Sequence, residues 1–176
     1  MSIPLVMTII SPDRTGLVEC VARAVADHGG NWLESRMCRL GGEFAGILRV
    51  EISAAKKSAL LDALQKLQQH GLQIVVRADQ PVSTSSPGRQ TKLEIVGSDH
   101  PGIVREITSA LARAKVNVEE FSSEIVSAPM SGETLFKASA RLQLPDHCDL
   151  VALKKNLEKI AADLLVDVSF AELDSQ

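Results

Sequence analysis

Two short loops of the same composition carry the residues that could bind a small charged molecule. The first loop is Asp13-Arg14-Thr15-Gly16-Leu17 and the second is Asp99-His100-Pro101-Gly102-Ile103. Gly16 and Gly102 are 86 positions apart, and the same shift places Asn31 on Asn117. A loop and a following Asn that recur at one spacing indicate an internal repeat. The repeat predicts the domain count and the candidate site together.

The chemistry that these residues favour is recognition of an amino acid. Each glycine precedes a predicted helix, whose first turn has unpaired N–H groups and a partial positive charge. A glycine there allows a carboxylate to approach the backbone closely. The Asn side chain offers a donor and an acceptor, which suits an α-amino acid. We expect Asn31 to lie beside the first strand and near the loop. The predicted ligand-binding residues are Asp13, Arg14, Thr15, Gly16, Leu17, Asn31, Asp99, His100, Pro101, Gly102, Ile103 and Asn117.

Structural roles for the same residues remain open alternatives. Asp13 and Asp99 could cap the helices, and the two glycines could serve turn geometry alone. Asn31 follows Gly29-Gly30 and could be a turn residue. The loops also differ, because Arg14-Thr15 in the first corresponds to His100-Pro101 in the second. The two repeats therefore need not bind the same ligand. No catalytic residue, metal site or cofactor is predicted.

The elements that position the first loop follow from hydrophobic spacing. Apolar residues from Ile3 to Ile10 predict a central strand. The next helix carries Leu17, Val21, Val25 and His28 on one face. Strands from Asn31 to about Leu40 and from Phe44 to Ile52 flank a Gly41-Gly42 turn. A helix with Leu60, Leu64 and Leu67 and a strand from Leu72 complete a β-α-β-β-α-β order.

The second half repeats this order with small differences. Ile103, Ile107, Leu111 and Ala114 correspond to the first helix face, and Pro101 fits its first turn. Phe44 matches Phe136 at a shift of 92, which predicts an insertion around residues 128–132. We predict an α+β protein of two ferredoxin-like domains, each an antiparallel sheet with helices on one face. Their predicted ranges are 1–80 and 91–176, joined by a linker over 81–90.

The open face of the first predicted sheet is too apolar to be fully solvated. It carries Val6, Ile10, Ala45 and Ile47. Apolar faces of this kind are usually covered, so we expect the repeats to associate through sheets or strand edges and the protein to form homo-oligomers.

Composition excludes several classes of function. The net charge is −3 without a large basic block, which disfavours direct binding to nucleic acid. Three scattered cysteines, Cys20, Cys38 and Cys148, are typical of reduced thiols. No export signal and no membrane-spanning apolar run is evident, so we expect a cytoplasmic protein without membrane contact.

The duplicated motif resembles the ACT domain. Its residues are the Asp-x-x-Gly loops followed by Leu17-Val18 or Ile103-Val104, and then Gly30-Asn31 or Val116-Asn117. The resemblance covers nearly the whole chain. It implies ferredoxin-like modules that bind small effectors, commonly amino acids, at interfaces between paired domains. Arg36, the segment Leu40-Gly41-Gly42-Glu43-Phe44 and the two-domain layout resemble, more narrowly, ACT proteins that repress transcription.

The resemblance implies a non-enzymatic regulatory protein that senses a small amino acid, possibly glycine. The narrower resemblance implies that its protein partner is a DNA-binding transcription regulator. Two alternatives remain: a structural dimerisation module without ligand, and an enzyme similar to acylphosphatases, whose Arg and Asn pair Arg14 and Asn31 mimic. An RNA-binding module of this topology would need aromatic side chains on the open sheet face. Only 3% of the residues are aromatic, which disfavours it.

Overall fold

The computed structural model describes residues 1–79, 89–128 and 132–172. It divides into two compact units, Met1–Val82 and Ser83–Gln176. Residues 81–88 of the predicted linker and residues 129–131 of the predicted insertion lie outside the described residues. The first described strand of the second unit begins at Arg89.

The first unit has the predicted β-α-β-β-α-β order. Its elements are β1 (Ser2–Pro12), α1 (Leu17–Asp27), β2 (Asn31–Leu40), β3 (Glu43–Ser53), a short 3-10 turn (Ala54–Lys56), α2 (Lys57–Gln68) and β4 (Gln73–Ala78). The strands form an antiparallel sheet in the order β2-β3-β1-β4. Gly41 and Gly42 both have positive φ angles, as the two-residue turn between β2 and β3 requires.

The second unit repeats the architecture. Its elements are β5 (Arg89–Ser98), α3 (Ile103–Arg113), β6 (Asn117–Ser127), β7 (Thr134–Leu144), α4 (Leu150–Asp163) and β8 (Val166–Glu172). The strand order is β6-β7-β5-β8, again antiparallel. The prediction of two ferredoxin-like βαββαβ domains is therefore confirmed.

The core of each unit lies between its sheet and its two helices. In the first unit, Leu5, Met7 and Ile9 alternate along β1 and are buried with the Leu17, Val21 and Val25 face of α1. In the second unit, Leu93 and Ile95 of β5 pack in the same way with α3 and α4. Alternate side chains of the strands and one face of each helix therefore pack into a single core in each unit.

The open faces of the two sheets differ sharply in chemistry. In the first unit, Ile10, Ile47 and Val75 are about half exposed there, at 42%, 55% and 55%. In the second unit, the open face carries mostly polar side chains. They include Lys92, Glu94, Glu120, Ser122, Glu124, Lys137, Ser139 and Arg141. The apolar open face predicted from the first repeat therefore belongs to that repeat alone.

No helix among the described residues is long and apolar enough to cross a membrane.

Candidate ligand site

The two loops start their helices in the same unusual way. Gly16 and Gly102 are the N-terminal capping residues of α1 and α3, with φ angles of 90° and 105°. No side chain accepts a hydrogen bond at either cap. In α4, by contrast, the carboxylate of Asp149 accepts from the Ala152 N–H at 3.0 Å. The first turns of α1 and α3 therefore present backbone donors that no capping side chain covers.

The alternative that Asp13 and Asp99 cap the helices is wrong. Asp13 Oδ2 instead lies 2.9 Å from Arg39 Nε on β2, and the Asp13 N–H donates to the Gly42 carbonyl at 2.8 Å. The Asp99 N–H donates to the Thr134 carbonyl at 3.0 Å. Each Asp thus precedes the start of the helix. Its backbone N–H binds the turn before β3 in the first repeat and the first residue of β7 in the second.

The structure also corrects the position of Pro101. Its ring suits the first helical turn, but α3 begins at Ile103 and Gly102 occupies the cap. Pro101 therefore lies in the loop, one residue before the cap.

Arg14 and His100 occupy equivalent positions and make equivalent contacts. Arg14 Nη2 donates to the His70 carbonyl at 2.8 Å, and His100 Nε2 lies 2.6 Å from the Leu164 carbonyl oxygen. Both carbonyls follow the end of the second helix in their repeat. Both repeats therefore make this contact, but the two side chains that donate it differ in their acid–base chemistry. Sequence reasoning missed this contact, although both loops place a side chain that can be cationic directly after the Asp.

The protonation of His100 reflects these contacts. The Leu164 carbonyl, and then the Pro101 carbonyl at 3.2 Å from Nδ1, raise the pKa of His100 above its ordinary value. The carboxylate of Asp99 adds to the shift. Hydrogen bonds to carbonyl oxygens favour the charged ring, because that form donates from both nitrogens.

A hollow of about 300 Å³ opens beside the first loop. Four predicted site residues line it: Arg14, Thr15, Gly16 and Leu17. The remaining wall comes from Cys20 on α1 and from Leu67, His70 and Leu72 around the end of α2. The hollow thus lies between the N-terminal end of α1 and the C-terminal end of α2, which carry partial charges of opposite sign.

Asn31 does not lie near the loop of its own repeat. β2 pairs with β3 and not with β1, so the expectation that Asn31 begins a strand beside β1 is wrong. Through Glu51 of β3, Asn31 is level with Pro4 at the start of β1. From Pro4 to Asp13 the strand extends roughly 30 Å at about 3.3 Å per residue.

Asn117 is placed in the same way in the second repeat. Through Gln143 it is level with Gln90, at the opposite end of β5 from Asp99. The loop and the Asn of one repeat are therefore too far apart to hold one small ligand together.

Within the described residues, no group of three or more His, Cys, Asp or Glu side chains could hold a metal ion. His147 and Cys148 both lie in the loop before α4, a loop that ends at the capping residue Asp149. Burial, and then the charge of Asp149, raise the pKa of the Cys148 thiol. A raised thiol pKa disfavours the nucleophilic thiolate.

Comparison with known proteins identifies the first repeat. Residues 4–77 match the sequence profile of the ACT domain. A solved protein of unknown function from Galdieria sulphuraria is 30% identical, over 98% of this chain and 99% of that one, with a TM-score of 0.84.

Two further relatives share one description. The glycine cleavage system transcriptional repressor of Escherichia coli is 22% identical over 94% of this chain and 85% of its own length. A solved structure assigned provisionally to the same kind of repressor is 19% identical, over 98% and 99% of the two chains, with a TM-score of 0.70. At that identity the structural likeness shows the fold. With the ACT match in the first repeat and the same fold in the second, this chain is a tandem ACT-domain protein that resembles the glycine cleavage system transcriptional repressor.

Proposed function

We propose that this protein is a non-enzymatic regulator that binds a small α-amino acid in the hollow beside the first loop. The observation that carries the proposal is the position of the hollow between two helix ends of opposite polarity. A zwitterion has a carboxylate and an ammonium group separated by one carbon atom. It therefore matches a site that is positive on one side and negative on the other.

The carboxylate would lie at the first turn of α1. The Leu17 end of the helix offers backbone donors that no side chain caps, and Arg14 lines the same hollow. Hydrogen bonds from charged or backbone donors to a carboxylate are stronger than neutral ones.

The ammonium group would lie toward the end of α2. Carbonyl groups of the last helical turn carry partial negative charge. The His70 carbonyl is taken by Arg14, so the acceptors for the ammonium group would be the second lone pairs of the Leu67 and Gln68 carbonyls. Leu67 and Leu72 make the neighbouring part of the wall apolar, which suits an amino acid with a small side chain or none.

Glycine is the first candidate among small amino acids. Glycine fits the hollow of about 300 Å³, whose wall is partly apolar. The Escherichia coli relative is a repressor of the glycine cleavage system, which favours the same choice.

Glycine should bind wild-type protein in a calorimetric titration. Cys20→Trp should weaken binding at least tenfold, because Cys20 lines the hollow and is exposed, so the larger ring would fill it. The matched control is Cys38→Trp, also an exposed cysteine, on the edge strand β2. Equal glycine affinity in both variants would place the ligand elsewhere. Titrations with alanine, serine and threonine complete a panel of small amino acids.

Asn31→Ala and Asn117→Ala separate two forms of this site. A ligand bound inside one repeat keeps its affinity in both variants, and that is the expected result. A loss of about 1–3 kcal/mol, the cost of a hydrogen bond to a charged group, would instead show that an Asn of another ACT unit completes the site.

The signal would pass by contact with a DNA-binding transcription regulator in the cytoplasm. Support comes from the net charge of −3 and from the repressor relative. The purified protein should not shift DNA in a gel assay on its own. It should do so only together with its regulator, and the shift should change with added glycine.

The alternatives are less well supported. Arg14 and Asn31 lie at opposite ends of the sheet, so they do not form the pair that an acylphosphatase-like enzyme would need. All five aromatic residues lie on the helix-facing side of their strands and not on the open faces, which disfavours RNA stacking. They are Trp32, Phe44, Phe121, Phe136 and Phe170. A structural module without ligand would bind none of the amino-acid panel.

A further inference from the structure

We propose that Arg14 and His100 are positioning residues that tie each ligand loop to the end of the second helix of the same repeat. We further propose that the tie in the second repeat loosens as the pH rises, whereas the tie in the first does not. The inference rests on the proposed function only in taking these loops as ligand-binding loops. The contacts themselves are present without a ligand.

The two contacts join the same elements although the side chains differ. Arg14 reaches the His70 carbonyl across 56 positions of sequence, and His100 reaches the Leu164 carbonyl across 64. Each acceptor precedes a residue with positive φ, Gly71 or Leu165, that ends the helix. Equivalent positions thus join equivalent elements in both repeats.

The position of the acceptor explains why a cation serves this role. The last carbonyl groups of a helix lack partners within the helix and carry partial negative charge. A charged donor from the loop satisfies one such carbonyl and stabilises the helix end. Movement of the loop on binding a ligand would then be felt at α2 or α4, which pack beside α1 or α3.

The two donors respond differently to pH. Arginine stays charged at any pH that a protein experiences, whereas histidine loses its charge near neutrality. The contacts of His100 raise its pKa above 6.5, so its extra stabilisation is complete below about that pH. The stabilisation is lost as the pH rises through the raised value, because the neutral ring binds the Leu164 carbonyl only through a weaker, uncharged hydrogen bond and donates from one nitrogen only.

The charged groups around His100 do not oppose this assignment. Asp99 in the same loop favours the charged ring. On the neighbouring elements, Asp163 ends α4, Asp167 lies in β8, and Arg105 of α3 pairs with Glu106. The raised pKa of His100 comes from the Leu164 carbonyl, the Pro101 carbonyl and Asp99, with burial acting in the opposite direction.

Hydrogen exchange of the full chain without added ligand tests the proposal between about pH 6 and pH 9. After correction for intrinsic exchange, peptides covering residues 97–103 and 163–168 should exchange about fivefold faster at the upper end of this range in wild type. His100→Arg should remove that dependence. Arg14→His should create the same dependence in peptides covering residues 11–17 and 69–74.

His147→Gln, a histidine of the same repeat outside this contact, is the matched control and should behave as wild type. A pH dependence that persists in His100→Arg, or that appears equally in all peptides, would overturn the proposal. If His100→Arg does not fold, the Arg14→His result decides alone. Because no ligand is present, failure here leaves amino-acid binding untouched, and a negative titration leaves this result untouched.

Discussion

Gly16 and Gly102 show how single residues define the loops. Both have φ angles that residues with a β-carbon rarely adopt, and a β-carbon built at either position meets no atom within 4 Å. The glycines are therefore required for their backbone conformation and not for lack of space. The open space is also what lets a ligand approach the start of α1.

Replacing Gly16 with Ala should destabilise the first domain by about 1 kcal/mol, because the left-handed conformation is strained for alanine. Thermal unfolding measures the loss. Gly16→Asn is the control, since asparagine tolerates this conformation better and should cost less. Equal stability of all three proteins would mean that the loop can adopt another conformation.

At the element scale, the repeats end their helices differently. Gly29 and Gly71 have positive φ in the first repeat, whereas the matching positions in the second hold Lys115 and Leu165 with φ of 57° and 53°. The conformation is thus set by the fold, since each helix must reverse direction before the next strand. In the second repeat Lys115 and Leu165 adopt this left-handed conformation, which is strained for residues with a β-carbon.

Leu165→Gly should therefore stabilise the second domain by about 0.5–1 kcal/mol. The substitution relieves the strain of the left-handed conformation, and the greater conformational entropy of glycine in the unfolded chain offsets part of that gain. Leu165 is 78% exposed, so removing its side chain sacrifices little burial. Calorimetric unfolding measures the gain. Lys115→Gly, away from the His100 contact, should stabilise similarly, and Gly71→Leu should do the opposite. A destabilised Leu165→Gly would show that the exposed Leu side chain has a partner.

At the scale of the whole molecule, the contrast between the open sheet faces is the main feature. The first unit presents Ile10, Ile47 and Val75, whereas the second presents charged and hydroxyl side chains in the same layer. Exposed apolar patches of this kind mark surfaces that another protein surface covers. The prediction of self-association therefore concerns the first unit.

Sedimentation velocity should find wild-type protein larger than one chain. Ile47→Lys should shift it toward the monomer, because a charge at the centre of the apolar face would lose its hydration on association. The control is Ser139→Lys at a polar position of the second open face. A monomeric wild type would refute the prediction.

The sequence by itself determined the elements and the local chemistry of the loops. The apolar run of β1, the alternation along β3 and the helical spacing in α1 and α3 predict the elements, because burial imposes these patterns locally. The glycines at 16, 29, 41, 42, 71 and 102 indicate turns locally, since glycine adopts positive φ at the least cost. The duplication made each local prediction more secure.

Only the tertiary structure decided which residues meet. Strand pairing is non-local, so β2 lies beside β3, and Asn31 is carried to the far end of the sheet from Gly16. The contacts of Arg14 and His100 join residues 56 and 64 positions apart, at a distance that no local pattern encodes. The wall of the hollow from Leu67 to Leu72 depends in the same way on how α2 packs against α1.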